Sequence, residues 1–331
     1  MILSASRRTD IPCYYGAWLL NRLRAGYALM RNPMNHAQLS RVPLTPDIVD
    51  CIVFWTKDAQ NFLQYLPVID KMGYQYYFQF TLTPYGRDIE PNLRPKEDIV
   101  KTFIELSKKI DKTRVLWRYD PIIVNDTLTV DYHITQFTRL CGLLSPYTTR
   151  VTISFVDTYQ KLRTPAVRAL TQEEITALGK QFGKIAAAHG LTIGTCCEAA
   201  DLSAYGIGRA HCIDQALIEQ LCGCSLDVRA DKNQRGGCGC VQSVDIGAYN
   251  TCPNGCAYCY ANKSTESAAV NHQKHNPAGA LLIGTVREDE KISVRKAVSH
   301  RQTQRSIFNK GHSPVIQRFK QNSPADMAGF A

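Results

Sequence analysis

Hydrophobic positions along this chain gather in short runs separated by longer amphipathic stretches. Six runs are rich in β-branched and aromatic residues: Ile2 to Ser6, Cys51 to Thr56, Tyr76 to Thr81, Arg114 to Tyr119, Val151 to Val156 and Leu191 to Thr195. None alternates cleanly between apolar and polar, which is the pattern of strands covered on both faces. Between them the spacing becomes helical, over Tyr14 to Ala25 (with Trp18, Leu19, Arg22 and Leu23 in register), Asp58 to Met72, Pro95 to Ile110, Asp131 to Leu144 and Thr171 to His189. Pro95 and Thr171 read as helix starts, with acidic residues close behind. Ala28 to Leu44 breaks the rhythm with two short runs around a turn at Pro33 to Asn35, and is predicted to be a hairpin insertion.

Strand and helix in alternation imply an α/β fold with a parallel sheet and crossover helices. Six such units within residues 1–195 suit a partial or complete (β/α) TIM-like barrel. A seventh strand is predicted over Val241 to Tyr249, weak helix over Asn262 to Ala278, and one more short strand over Leu281 to Gly284. The chain therefore divides into barrel units with a hairpin insertion at 28–44 (1–195), a cysteine-rich segment completing the barrel (196–285) and a basic, flexible tail (286–331). In such barrels function gathers where strands end. The residues at those ends are polar: Ser6, Arg7, Arg8, Thr9 and Asp10; Thr56, Lys57 and Asp58; Arg118, Tyr119 and Asp120; Ser154 and Asp157; Cys196, Cys197 and Glu198. Convergence of several on one rim would make a charged mouth for a polar ligand, whereas each taken singly reads as a structural ion pair.

Composition narrows the class. With 331 residues the chain can bury a core without disulfides. No apolar run reaches membrane-spanning length, and the apolar start is too short for a signal peptide, so a cytoplasmic protein with reduced thiols is expected. The formal charge is +10. From Arg287 to Ala331 nine basic residues face four acidic ones, a net +5. Such a tail reads as a solvated segment or, more sharply, as a phosphate-contacting arm for nucleic acid; charge alone does not separate the two.

Ten of the 13 cysteines lie between Cys196 and Cys259, and the stretch ends in Cys252-Pro-Asn-Gly-Cys256-Ala-Tyr258-Cys259. In a reducing compartment clustered cysteines read as metal ligands. Three thiolates can hold three irons of a cubane and leave the fourth iron without a protein ligand, open to a substrate or cofactor. The competing reading is zinc, which wants four ligands and would recruit Cys238 or Cys240. The remaining clustered cysteines supply a second donor set. Cys196 or Cys197, with Cys212, Cys238 and Cys240, gives four ligands for an auxiliary iron–sulfur cluster or a zinc. Cys222 and Cys224 flank Gly223 at a helix end, and Cys13, Cys51 and Cys141 read as small core residues.

The loop at Cys252, Cys256, Tyr258 and Cys259 resembles the cluster loop of the radical S-adenosylmethionine superfamily. That resemblance implies a 4Fe–4S cluster on the three cysteines, Tyr258 near the adenine, S-adenosylmethionine chelated by the open iron, and reductive cleavage to a 5′-deoxyadenosyl radical that abstracts hydrogen from a substrate. It also implies an external reductant such as flavodoxin or ferredoxin. The usual loop follows the first strand, whereas here it lies in the last third of the chain. A circular permutation reconciles the two, with Val241 to Tyr249 as the first strand and Ile2 to Ser6 the next one round. The usual second strand ends in a glycine-rich turn; here Ser6-Arg7-Arg8-Thr9-Asp10 stands in its place, with Arg7 or Arg8 for the carboxylate and Asp10 for the amine of the cofactor. Arg118, Asp120 and Glu198 are candidate substrate contacts. As a whole the chain resembles an uncharacterised bacterial family, domain of unknown function 1848, through SASRRTD, IVFWTK, RYDP, Asp231 to Arg235, Asp245 to Thr251 and the cysteine loop, over about residues 1 to 285. That family carries a C-terminal cysteine cluster similar to the radical enzymes' N-terminal one and brings no known substrate. Two other classes compete: a zinc-binding (β/α) barrel protein acting on or binding nucleic acid, and an electron-transfer protein whose cluster is closed by a fourth cysteine.

Overall fold

A computed structural model describes residues 1–35, 37–157, 167–235 and 237–302. β1 (Ile2–Ala5) leads into α1 (Ile11–Tyr14) and α2 (Gly16–Ala25), then into a hairpin of β2 (Tyr27–Arg31) and β3 (Gln38–Pro43). β4 (Cys51–Thr56), α3 (Leu66–Lys71), β5 (Tyr76–Thr81), α4 (Lys96–Ile110), β6 (Val115–Ile122), α5 (Val130–Leu144), β7 (Arg150–Phe155), α6 (Gln172–Ala188) and β8 (Thr192–Thr195) follow in alternation. The cysteine-rich part contributes β9 (Gly208–Arg209), α7 (Gln215–Cys222), β10 (Val244–Asp245) and α8 (Thr265–Gln273), and the last element is β11 (Lys291–Val294).

Eight strands form one sheet in the order β10-β1-β4-β5-β6-β7-β8-β9, and every neighbouring pair in it is parallel. β10 comes late in the chain yet pairs with the first strand, Val244 opposite Leu3 and Asp245 opposite Ser4. The hairpin strands and β11 make a second, three-stranded sheet in the order β11-β3-β2.

The period-two geometry of a strand sends alternate residues to opposite faces. On one face Leu3, Ile52, Phe54, Tyr76, Phe78, Phe80, Trp117, Tyr119 and Ile153 join the large core beneath the helices. There Phe137 of α5 stacks on Phe182 of α6 with ring centroids 3.9 Å apart. On the other face Ile2, Cys51, Val53, Tyr77 and Leu116 pack against Cys212, Ile213, Leu217, Ile218, Leu226, Cys240 and Val241. The cysteine-rich segment thus lies across the sheet's second face. Two covered faces account for the missing alternation in the strand sequences.

The helices begin and end on local chemistry. Thr171 and Glu174 form a reciprocal capping box at the start of α6, Asp214 caps α7, and Gly223 ends α7 in the left-handed region. Five expectations change. The stretch from Tyr14 is split at Tyr15 into α1 and α2. Asp58 to Met72 starts as a 3₁₀ turn (Gln60–Tyr65) before α3, because Pro67 fits only the first turn of a helix. The strand expected over Val241 to Tyr249 is only Val244–Asp245, and the one at Leu281 is an isolated bridge to Leu29. Inside the 286–331 segment expected to be a flexible tail, β11 pairs with β3, and Ser299 and the His300 N–H bond the carboxylate of Asp50. Residues 303–331 of that segment lie outside the described residues. Among the described residues no helix is long and apolar enough to cross a membrane.

Candidate functional site

A cavity of about 970 Å³ opens at the carboxyl ends of the parallel strands. Its wall is built from strand ends and the turns beyond them: Ser6 to Asp10 after β1, Trp55 to Lys57 at the end of β4, Thr81 of β5, Arg118 and Asp120 of β6, Ser154 to Asp157 at the end of β7, and Cys196 and Cys197 after β8. Cys252, Cys256 and Cys259 line it, and so do Cys212, Cys238 and Cys240. Residues hundreds of positions apart in sequence therefore share one space, as the open end of a parallel sheet permits.

The loop from Asn250 to Cys259 is fixed through its backbone. The Asn262 amide donates to the Cys252 carbonyl at 2.7 Å, the Asn92 amide to the Pro253 carbonyl at 2.7 Å, and the Ala257 N–H to the Ile89 carbonyl at 2.9 Å. Tyr15 donates to the Thr251 carbonyl and Tyr14 to the Asn254 side chain. Gly255 has a φ of +71°, and a Cβ there would stand 3.0 Å from the Asn92 amide nitrogen, so the turn between the first two cysteines needs glycine. The Cys259 N–H closes the last turn on the Cys256 carbonyl at 3.0 Å.

The sulfur of Cys252 accepts backbone N–H groups from Asn254 and Asp10, yet burial, reinforced by Asp10, pushes its pKa up to about 12. Burial also raises Cys256, with Lys57 opposing and Cys252 and Cys259 adding repulsion. Among the described residues no three His, Cys, Asp or Glu side chains are grouped so as to hold one metal ion. A single ion needs its donors around one point, whereas a polynuclear cluster takes each thiolate at a different iron.

Asp245 joins this loop's strand to β1. Its carboxylate accepts Ser4 Oγ at 2.9 Å, Ser6 Oγ at 2.6 Å, the Arg7 N–H at 2.8 Å and the Gly247 N–H at 2.9 Å. Arg7 lies over the Trp55 ring at 5.0 Å, and its Nη2 is buried with no hydrogen-bond partner. Arg8 lies over Tyr249 at 5.0 Å. Asp10, expected to meet a ligand amine, is engaged in scaffolding: it caps α1 through the Cys13 N–H (3.0 Å) and accepts the Lys57 N–H at 2.7 Å. Burial lifts its pKa to about 6.

Tyr258 lines the cavity but spends its hydroxyl on Glu90, and Lys57 lies 5.3 Å from its ring centroid. Glu90 is fully buried and pairs with Lys57 at 2.8 Å and with Lys96; those cations hold its carboxyl down at about 2 against burial. Nothing in the sequence singled out Glu90, one of two acids in a polar loop. Arg118 and Asp120 form the ion pair that each would make in a purely structural role, with Ser154 donating to Asp120 and Arg118 Nη1 donating to the Cys212 sulfur at 2.8 Å. Glu198 accepts the Phe155 N–H at 2.9 Å, and burial pushes it up to about 7; it is not one of the lining residues.

The other thiols fall into a second group. The sulfurs of Cys196 and Cys212 are 3.2 Å apart, Cys212 is hydrogen-bonded to Cys240, and the Ile213 N–H donates to the Cys240 sulfur at 3.3 Å. Cys197, at a φ of +58°, turns elsewhere, with its sulfur 3.9 Å from the Arg235 carbonyl oxygen. Cys222 donates to the Asp50 carbonyl and takes no part in the cavity.

No curated protein matches the chain. A family model described as "Domain of unknown function (DUF1848)" matches residues 2–261, a span that takes in the whole eight-stranded sheet and the loop from Cys252 to Cys259. On that match, which covers well over half of the 331 residues, the chain belongs to the DUF1848 family.

Proposed function

We propose that this protein is an iron–sulfur enzyme of the radical S-adenosylmethionine type, with its catalytic loop at the carboxyl end of a circularly permuted, partial (β/α) barrel. The observation that carries the reading is the joint opening of Cys252, Cys256 and Cys259 onto one large cavity at the strands' carboxyl ends. The parallel pairing of β10 with β1 supports the permutation: the strand before the loop neighbours the first strand of the chain, as it would if a barrel had been cut between its first and second units.

The three cysteines would hold the cluster. When bound, a cluster with one open iron supplies the reducing equivalent that breaks the sulfonium bond of S-adenosylmethionine, and so the hydrogen-abstracting 5′-deoxyadenosyl radical. The chain's own residues bind and position. The N–H groups of Asn254 and Asp10 that point at the Cys252 sulfur favour its ionised, ligating form. Arg8, at the cavity wall and with no ion pair among the described residues, is the group for the cofactor's carboxylate. Asp10 accepts the loop's Asn254 amide at 3.4 Å as well as the Cys13 and Lys57 N–H groups, and so braces the loop rather than meeting the amine. Tyr258, fixed by Glu90, offers an aromatic wall with its position already set.

The test is turnover of the cofactor itself. Protein reconstituted anaerobically with iron and sulfide, then given dithionite and S-adenosylmethionine, should release 5′-deoxyadenosine, and Cys256→Ala should abolish the release. A fully loaded protein that forms none contradicts the proposal.

A further inference from the structure

The geometry points to a second thiolate metal centre on the wall of the same cavity, built by Cys196, Cys212, Cys238 and Cys240 and taking an iron–sulfur cluster. The centre stands independently of what the Cys252 loop binds. Its four thiols come from three separate stretches of chain. Cys196 follows β8, Cys212 follows β9, and Cys238 and Cys240 return from beyond α7. All four line the cavity. The Cys196 and Cys212 sulfurs are 3.2 Å apart, and Cys240 is held to the same spot by the Ile213 N–H at 3.3 Å. Cys212 and Cys240 are 3% and 2% exposed. Gly239 lets the Cys238–Cys240 turn close: a Cβ there would sit 2.4 Å from the His211 ring nitrogen.

Charge supplies a separate argument. Arg118 donates to the Cys212 sulfur at 2.8 Å, and Arg7 lies within electrostatic reach of both Cys212 and Cys240 with its Nη2 buried and unpartnered. Arg118 is already paired with Asp120, so Arg7 is the guanidinium whose buried Nη2 lacks a partner beside these thiols, and the thiolates of a bound cluster would supply negative charge next to it. In the thiol form the sulfurs hydrogen-bond in a chain from Cys196 through Cys212 to Cys240. Loss of the thiol protons removes that chain, and each cysteine has a single χ1 rotation by which to turn toward a common centre.

The experiment uses the full chain with Cys252, Cys256 and Cys259 all replaced by alanine, reconstituted anaerobically with iron and sulfide or, in a second arm, with zinc. Metal and sulfide are then quantified. The inference expects about one cluster per chain to remain, with iron and sulfide together, whereas zinc binding without any iron–sulfide binding would overturn it. Adding Cys212→Ala or Cys240→Ala should abolish the cluster, while Cys224→Ala, outside the cavity, should leave it. Alkylation mapping of wild-type protein gives a readout that does not depend on variant folding. Cys196, Cys212, Cys238 and Cys240 should resist labelling until a chelator is added, whereas Cys224 labels at once. A folded triple variant that binds neither metal group, binding indifferent to Cys212 and Cys240, or a Cys196–Cys212 disulfide in their place would each overturn the inference.

Discussion

Asp245 is the residue on which the site's two halves meet, because four donors from β1, its following turn and Gly247 converge on one carboxylate. Asp245→Ala leaves those donors without their acceptor, at about 1–3 kcal/mol for each that stays buried and unpaired. Urea denaturation should therefore show a loss of several kcal/mol, and Asp245→Asn a smaller one; an alanine variant as stable as wild type would contradict the clamp. Acid should act in two stages. His133 is buried between the Tyr119 hydroxyl (2.8 Å) and the Ile123 carbonyl (2.7 Å), and burial lowers its pKa from 6.5 to about 4. Its contribution to stability is complete above pH 6.5 and is lost as pH falls toward 4. Glu90, lowered from 4.5 to about 2, contributes above pH 4.5 and loses that contribution on the way down to 2. Asp10 and Glu198, raised by burial to about 6 and about 7, gain stability as pH falls through the same range, so the His133 effect is read as a difference: the melting-temperature advantage of wild type over His133→Gln should shrink between pH 6.5 and 4, and a constant difference contradicts the burial of neutral His133. At this scale the sequence marks residues of unusual chemistry, the cysteines and the paired arginines, but not their partners. Asp10 reads as a ligand group, and its role as a helix cap was not legible, since capping depends on where the helix begins and not on the acid itself.

The elements were legible in proportion to their length. Cys51 to Thr56 and Tyr76 to Thr81 match β4 and β5 residue for residue, because β-branched and aromatic runs covered on both faces leave a dense signal. The capping chemistry of Thr171 and Pro95 placed the starts of α6 and α4. β9 and β11, of two and four residues, carry no apolar run that marks them, whereas β10 lies inside the stretch Val241 to Tyr249 read as a strand and shrinks to two residues held to β1 by side chains such as Asp245. The capping box makes a direct prediction. Thr171→Ala removes the acceptor for the Glu174 N–H and should cost about 1 kcal/mol of unfolding free energy. Thr171→Ser, which keeps the acceptor, should cost a few tenths at most. Equal losses for the two would mean that the cap contributes nothing.

Over the whole molecule, the sheet is covered by helices on one face and by the cysteine-rich segment on the other, so that segment belongs to the core and is no appendage. The charged mouth expected of converging strand ends is present, with Arg7, Lys57, Arg118 and Asp120 on one wall. Its internal pairing was only partly legible: Gln79 and Cys212 lie in stretches the sequence marked for other reasons, and Glu90 reaches the mouth from a loop with no local signal. The loop from Cys252 to Cys259 was readable from spacing alone. Its placement beside β1 came from the resemblance, which makes Val241 to Tyr249 the neighbour of Ile2 to Ser6, and β10 does pair with β1 across more than 200 residues of chain. The most direct measurement is the electron paramagnetic resonance spectrum of the anaerobically reduced, reconstituted protein, recorded with and without S-adenosylmethionine. The account predicts a 4Fe–4S signal that shifts when the cofactor is added and that loses the shifting component in Cys256→Ala. A cluster spectrum that the cofactor leaves unmoved would contradict it.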